Sequence, residues 1–201
     1  KKNSEGIHFK NPFNGEKLFA TPETIAKLQS ELNSDVAMIL DDLVPHNATR
    51  EEAETAVQNT TDWTKRFLKA HKNKNQLVFG ITQGAMYKDL REKSAREINQ
   101  LKLDGIAIGG LCIGETHETM HEMLKASISQ IDKNKPRYLM GVGSPIDLLE
   151  AIEQGIDIFD SAMPTRNARH NELLTSQGKI AIDKTKYADD KTPPDPECEC
   201  C

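Results

Sequence analysis

Two aspartates stand directly after apolar segments that are typical of buried strands. Asp41 follows Val36–Leu40, and Asp160 follows Ile156–Phe159. At one edge of a parallel sheet, two such carboxylates can serve as nucleophile and as acid, base or base-recognition group. Glycosyl chemistry often needs this pair, because the transition state at a sugar C1′ is cationic. The alternative is that each acid only caps the helix after its strand.

Amide and glycine residues follow the other predicted strands. Gln83 can donate and accept hydrogen bonds, so it can bind the edge of a planar heterocycle. Gly109 and Gly110 would let backbone groups approach a ligand closely, or would simply form a tight turn. Glu115 is either a site residue or an acid in the first turn of a helix. Met140–Gly143 is more typical of a strand end that lines a pocket than of a phosphate-binding loop.

Basic residues and cysteines characterise the last part of the chain. Arg166 and Arg169 could contact phosphates or bases, or could belong to a solvated basic loop. They lie within Pro164–Lys186, where Lys and Arg outnumber the acids. Cys198 and Cys200 suit Zn²⁺, which takes four ligands in a structural site. A frayed tail is the alternative interpretation of these cysteines.

Alternating strand and helix patterns must position these residues. This alternation predicts an α/β fold with a parallel sheet, either doubly wound or a (β/α)8 barrel. Polar residues at the carboxyl ends of several strands favour the barrel. Five repeats do not complete a barrel of eight, so we expect an incomplete TIM barrel. The predicted strands are Val36–Leu40, Leu77–Ile81, Gly105–Ile108, Tyr138–Met140 and Ile156–Phe159.

Local patterns add a hairpin and several helix starts. Asn14-Gly15 lies between two short apolar runs and is a strong hairpin pattern. Thr21 before Pro22 is typical of the start of a helix. Thr49 followed three residues later by an acid forms a capping box.

Composition narrows the function classes. The 201 residues include 26 Lys and Arg against 31 Asp and Glu, a net charge of −5, which argues against a wholly basic nucleic-acid module. No apolar run approaches the roughly 20 residues of a membrane span, and no signal peptide is visible, so we expect a cytoplasmic protein. The chain begins without Met and ends within a cysteine cluster, so we expect a piece of a longer protein.

Several runs of the sequence together resemble bacterial tRNA-guanine transglycosylases, the queuine tRNA-ribosyltransferase family. The resemblance covers nearly the whole chain, in order, and the runs are jointly very specific. They are Leu40–Pro45, Phe79–Gly84, Ile108–Glu115, Arg137–Pro145, Gly155–Asp160, Met163–Arg169 and Asp195–Cys200.

The resemblance implies a fold and an activity. It implies part of a TIM-barrel catalytic domain over residues 1–188 and the start of a zinc-binding subdomain over residues 189–201. Zn²⁺ would be held in part by Cys198 and Cys200. The implied activity exchanges guanine at the wobble position of tRNAs with GUN anticodons for the queuosine precursor preQ1. The full-length protein is expected to be a homodimer.

The resemblance also implies roles for the residues that bind the base and the ribose. Asp160 would attack ribose C1′ and hold a covalent glycosyl-enzyme intermediate. Asp41 would bind the N1 and 2-amino edge of the purine. Gln83 and the backbone N–H of Gly110 would bind its O6 side.

Further residues acquire roles by the same resemblance. Met140 and Gly141 would pack against the base. The Leu111 carbonyl, steadied by Glu115, would meet the substituent of the incoming base. Ile113 is bulky, as in members that use the small base preQ1.

The arginines are expected to bind RNA. By resemblance, Arg166 and Arg169 would contact the anticodon loop, whose target nucleotide must be splayed out of the loop. The family's usual acid/base Asp is expected upstream of this chain, and further zinc ligands beyond Cys201.

Three other functions remain open at this point. The protein could insert queuine rather than preQ1. It could be the non-catalytic partner subunit of a transglycosylase heterodimer, although such a subunit should lack the nucleophile. It could also be an unrelated barrel glycosidase, which would have no need of Arg166, Arg169 or a zinc knot.

Overall fold

The computed structural model describes residues 1–197, which form two compact units. The first unit is Lys1–Asp160, and the second begins at Ser161. The predicted division between residues 188 and 189 depends on a zinc subdomain that lies partly outside the described residues. That division therefore stays a prediction.

A five-stranded parallel sheet forms the centre of the first unit. Its strands follow one another in chain order, and each pairs with the next in parallel. A doubly wound sheet would instead reverse its strand order at a switch point. The sequential order therefore confirms the predicted incomplete barrel. The strands are β4 (Val36–Met38), β5 (Leu77–Thr82), β6 (Gly105–Ile108), β7 (Arg137–Leu139) and β8 (Ile158–Phe159).

Helices connect these strands, and threonine or serine caps start most of them. Thr49 and Glu52 form the predicted capping box, in which the Glu52 carboxylate accepts from the Thr49 amide at 2.8 Å. Thr21, Thr116 and Ser144 cap three more helices, so their first amide groups are satisfied. The helices are α1 (Pro22–Leu32), α2 (Arg50–Ala70), α3 (Lys88–Asn99), α4 (His117–Ile128) and α5 (Pro145–Glu153).

The predicted hairpin forms the beginning of the chain. Strands β2 (Gly6–Lys10) and β3 (Lys17–Ala20) pair antiparallel, and β1 (Lys2–Asn3) extends the sheet. The Asn14 side chain accepts from the Glu16 amide at 3.0 Å within the connecting loop. The connection spans residues 11–16, longer than the two-residue turn that Asn-Gly often forms, and this Asx turn lies at its end.

The core lies between the parallel sheet and its helices. Phe67, Ile98, Ile106, Leu124 and Leu139 have no exposed surface. Burial on both faces of the sheet explains the nearly continuous apolar strands of the sequence.

The second unit contains one helix and one hairpin. Helix α6 (Met163–Arg169) is followed by the antiparallel strands β9 (Glu172–Thr175) and β10 (Gly178–Ala181), and then by a 3-10 turn at Thr185–Tyr187. Within residues 1–197, none of the helices combines the length and apolar character needed to cross a membrane.

Candidate active site

A pocket opens at the carboxyl ends of the parallel strands, with a volume of about 330 Å³. It brings together residues that the sequence separates widely, and both predicted aspartates line it. The helix after β4 is capped by Thr49, so helix capping does not account for Asp41. The predicted site residues in the pocket lining are Asp41, Gly110, Leu111, Met140, Gly141 and Asp160.

Asp160 is an exposed carboxylate that two donors hold in place. The Tyr138 hydroxyl donates to Oδ1 of Asp160 at 2.6 Å, and the Gly141 amide donates to the same oxygen at 2.8 Å. Within residues 1–197, Oδ2 of Asp160 accepts no hydrogen bond. Desolvation and this contact raise the pKa of Tyr138, so its hydroxyl remains a donor at neutral pH. One oxygen of Asp160 is thus anchored, and the other is available to a substrate.

Asp41 lines the same pocket and is half-buried. It follows β4, whereas Asp160 follows β8, and these are the two outer strands of the sheet. The amide Nε2 of Gln83 donates to Oδ2 of Asp41 at 2.6 Å. Burial raises the pKa of Asp41, and the hydrogen bond from Gln83 opposes this shift. A ligand that offers N–H donors to Asp41 would favour the ionised carboxylate.

Gln83 is fully buried, and the adjacent glycine pair is shaped around it. A Cβ on Gly109 would lie 2.8 Å from Nε2 of Gln83, and one on Gly110 would lie 2.6 Å from its Oε1. Gly110 also has a φ of +66°, a conformation that favours glycine. The close approach of Gln83 therefore requires both glycines.

Arg91 is a buried cation that fixes the backbone of the glycine pair. Its guanidinium donates to the carbonyls of Ala85, Gly109 and Gly110 at 2.8, 2.5 and 2.7 Å. Burial lowers its pKa to about 10, while the charge of Glu115 acts in the opposite direction. Arg91 is therefore still protonated at neutral pH, and it orients the strand end beneath the pocket.

Glu115 holds the loop between β6 and α4. Its carboxylate accepts from the amides of Cys112 and Ile113, the latter at 3.0 Å. The two bonds offset the strain of Cys112, whose φ is +59°. N–H and C=O point in opposite directions across a trans peptide, so the Leu111 carbonyl points away from Glu115.

The remaining predicted site residues lie in other parts of the chain. Arg166 and Arg169 are exposed on α6 of the second unit. Cys198 and Cys200, the predicted zinc ligands, lie outside the described residues.

Sequence reasoning missed two site residues, Tyr138 and Arg91. Tyr138 lies two positions before Met140, so both side chains project to the same face of the strand end. This period is visible in the sequence and could have identified it. Arg91 follows Leu90, which lies on the apolar face of α3. An arginine next to an apolar helix face is the sequence feature that could have indicated its burial.

Sequential β/α units with a pocket at the carboxyl ends of the strands place the chain in the class of (β/α) barrels. The chain belongs to the queuine tRNA-ribosyltransferase family, because the family profile of that description matches residues 1–201. This membership sets aside an unrelated barrel glycosidase.

Individual relatives agree with the family assignment. The chain is 47% identical over 199 residues to a protein named queuine tRNA-ribosyltransferase from Shewanella sp. (strain ANA-3). It is 45% identical over 196 residues to one of the same name from Francisella tularensis subsp. novicida (strain U112). Each alignment covers 98% of this chain and 53% of the relative, so the chain spans about half the length of these relatives.

Proposed function

We propose that this chain carries the base-exchange site of a tRNA-guanine transglycosylase. The enzyme would replace guanine at the wobble position of tRNAs with GUN anticodons by preQ1, through a covalent aspartyl-ribosyl intermediate. The observation that carries the proposal is that the anchored Asp160 and Asp41 line one pocket. Family membership supports the substrate class.

Asp160 would act as the nucleophile. Oδ2 would donate an electron pair to ribose C1′ while the C1′–N9 bond breaks and its electron pair leaves with guanine, which takes up a proton. The incoming base would then lose a proton and attack C1′, releasing the Asp160 carboxylate. Donors on Oδ1 would keep the nucleophile oriented in both half-reactions.

Asp41 and the glycine pair would recognise the base. The purine edge offers N1–H and 2-amino donors, which an ionised Asp41 can accept. Nε2 of Gln83 donates to Asp41 at 2.6 Å, so the carboxylate is already oriented before the base binds. The expected binding of the O6 side of the base by Gln83 would require this contact to change. Gly110 and the Leu111 carbonyl would meet the other polar edges, and Met140 and Gly141 would flank the ring.

Base choice and RNA binding complete the proposal. Ile113 lines the pocket and leaves less room for the larger queuine substituent, which favours preQ1 over the queuine alternative.

Arg166 and Arg169 would bind the anticodon loop. The presence of Asp160 disfavours a non-catalytic partner subunit. Zinc at Cys198 and Cys200 and homodimer formation stay predictions of the family resemblance, and a cytoplasmic location stays a prediction of the sequence pattern.

The decisive experiment is guanine exchange into tRNA by the full-length protein carrying Asp160→Asn. We expect a loss of at least about 1,000-fold, because the amide is a poor nucleophile. Asp35→Asn is the matched control, because Asp35 is an exposed aspartate at the opposite edge of the sheet. Robust exchange by Asp160→Asn, or equal losses in both variants, would refute the nucleophile assignment.

A further inference from the structure

Two histidines and two carboxylates form a compact cluster between α4 and α5, separate from the pocket. His117 and His121 lie within the run His-Glu-Thr-Met-His on α4, and Asp147 and Glu150 lie on α5. The four-residue spacing places both imidazoles on one helix face. Ligand atoms of His117, His121 and Asp147 lie within 4.8 Å of one another. The proposed base exchange uses none of these side chains.

The distances in the cluster suit a small metal ion. Nε2 of His121 lies 3.4 Å from Oδ1 of Asp147 and 3.2 Å from Oε2 of Glu150. Nε2 of His117 lies 3.1 Å from the same Glu150 oxygen. Tetrahedral Zn²⁺ with nitrogen and oxygen ligands at about 2.1 Å separates them by roughly 3.4 Å. His117, His121 and Asp147 therefore need only small movements to surround an ion. Glu150 lies beside both imidazoles and could supply a fourth ligand after a larger movement.

Gln154 supplies an independent observation. Within residues 1–197, His121 Nε2 and Gln154 Oε1 are buried and have no hydrogen-bond partner. Gln154 Nε2 lies 2.9 Å from Nδ1 of His121. Turning the amide over would let Oε1 accept a proton from Nδ1, so that Nε2 could bind a metal. A metal ion would thus satisfy Nε2 of His121, and the turned amide would satisfy Oε1 of Gln154.

Ser144 orients the carboxylate of Asp147. The Ser144 hydroxyl donates to Oδ2 of Asp147, and the Asp147 amide donates back to Ser144 at 3.3 Å. Oδ1 of Asp147 is thereby directed to His117, whose Nδ1 lies 2.7 Å away. Residues that hydrogen-bond to metal ligands and orient them in this way are a regular feature of metal sites.

We propose that His117, His121, Asp147 and Glu150 bind a divalent ion of the zinc class and fasten α4 to α5. Imidazole and carboxylate ligands suit Zn²⁺, Co²⁺ and Ni²⁺. Four protein ligands leave no open position, which is typical of a structural site rather than a catalytic one. The proposal is independent of the base-exchange function and of the cysteines at the end of the chain.

The test is a titration of the full-length protein with Zn²⁺ by calorimetry and with Co²⁺ by visible absorption. Besides any binding at the cysteines, we expect one binding event without a thiolate charge-transfer band, because the proposed site contains no sulfur. The double variant His117→Gln/His121→Gln should lose this event. Gln154→Ala should keep it with about tenfold weaker affinity, as for other outer partners of metal sites. His170→Gln, on the second unit, is the matched control and should bind normally.

Thermal unfolding provides a second readout. Added Zn²⁺ should raise the Tm of the parent protein more than that of the double variant, because binding to the folded state stabilises it. Far-UV circular dichroism of the metal-free variants verifies that they are folded. The proposal is overturned if the parent shows only thiolate-type Co²⁺ binding, or if the double variant binds Zn²⁺ as tightly as the parent.

Discussion

The two edges of the parallel sheet both carry aspartates, yet these aspartates make different contacts. At the amino edge, Asp104 directly precedes β6, and its carboxylate accepts from the Val78 amide of the neighbouring strand at 2.8 Å. Asp157 directly precedes β8, and its carboxylate accepts from the Arg137 amide in the same way, also at 2.8 Å. Each aspartate amide also donates to that neighbour's carbonyl at 2.9 Å. These aspartates therefore fix the register of adjacent strands.

At the carboxyl edge, Asp41 and Asp160 instead line the pocket. Their hydrogen bonds come from Gln83, Tyr138 and the Gly141 amide, which orient the carboxylates toward a cavity. An aspartate next to a strand thus stabilises the sheet at one edge and is available for chemistry at the other. The direction of the parallel strands determines which role an aspartate takes. The loops that build the active site of a (β/α) barrel lie at the carboxyl ends of its strands.

After Asp160→Asn, the largest expected effect at the carboxyl edge comes from Asp41→Asn. In the full-length enzyme we expect the KM for the base to rise about 100-fold, because the purine donors lose their charged acceptor. Steady-state kinetics with guanine and preQ1 measure this effect. Unchanged KM values for both bases would contradict the assignment of Asp41 to base recognition.

The same substitution should stabilise the protein. Burial raises the pKa of Asp41 in the folded state, so its ionisation costs stability as the pH rises from the unfolded pKa through the folded one. Asn removes this cost, and it can still accept from Gln83. Urea unfolding should therefore show equal stability of parent and variant in acid and a more stable variant at pH 7. A less stable variant at pH 7 would be inconsistent with a buried, functional carboxylate.

Tyr138→Phe tests the orientation of Asp160. The variant keeps the Gly141 donor and loses the hydroxyl, so we expect kcat to fall about tenfold with little change in KM. Tyr87→Phe is the matched control, because it removes a hydroxyl that donates to the Ala48 carbonyl at 3.1 Å, away from Asp160. Equal kcat values for the two variants would rule out a positioning role for Tyr138.

The smallest effect is expected at the amino edge. Asp104→Ala removes the acceptor of the Val78 amide and should cost about 1 kcal/mol of unfolding free energy, with kcat unchanged. Glu153→Ala, an exposed acid at the end of α5, should cost much less. A reduced kcat for folded Asp104→Ala would remove the functional distinction between the two edges.

The order of elements and much of the site could be predicted from the sequence. Apolar runs give the strands, and Thr21 and Thr49 give helix starts, because periodicity and capping depend on neighbouring residues alone. Asp41 and Asp160 can be identified because each directly follows such a run, and Gln83 because only Thr82 separates it from one. Family resemblance then attached roles to them.

Tertiary structure alone decided how those positions meet. The sequential strand order, the 2.6 Å contact between Gln83 and Asp41, and the burial of Arg91 each depend on residues distant in the chain. The same holds for the meeting of His121 with Asp147 across two helices. Local propensity specifies elements, but contacts between elements arise from packing, which a single sequence pattern does not encode.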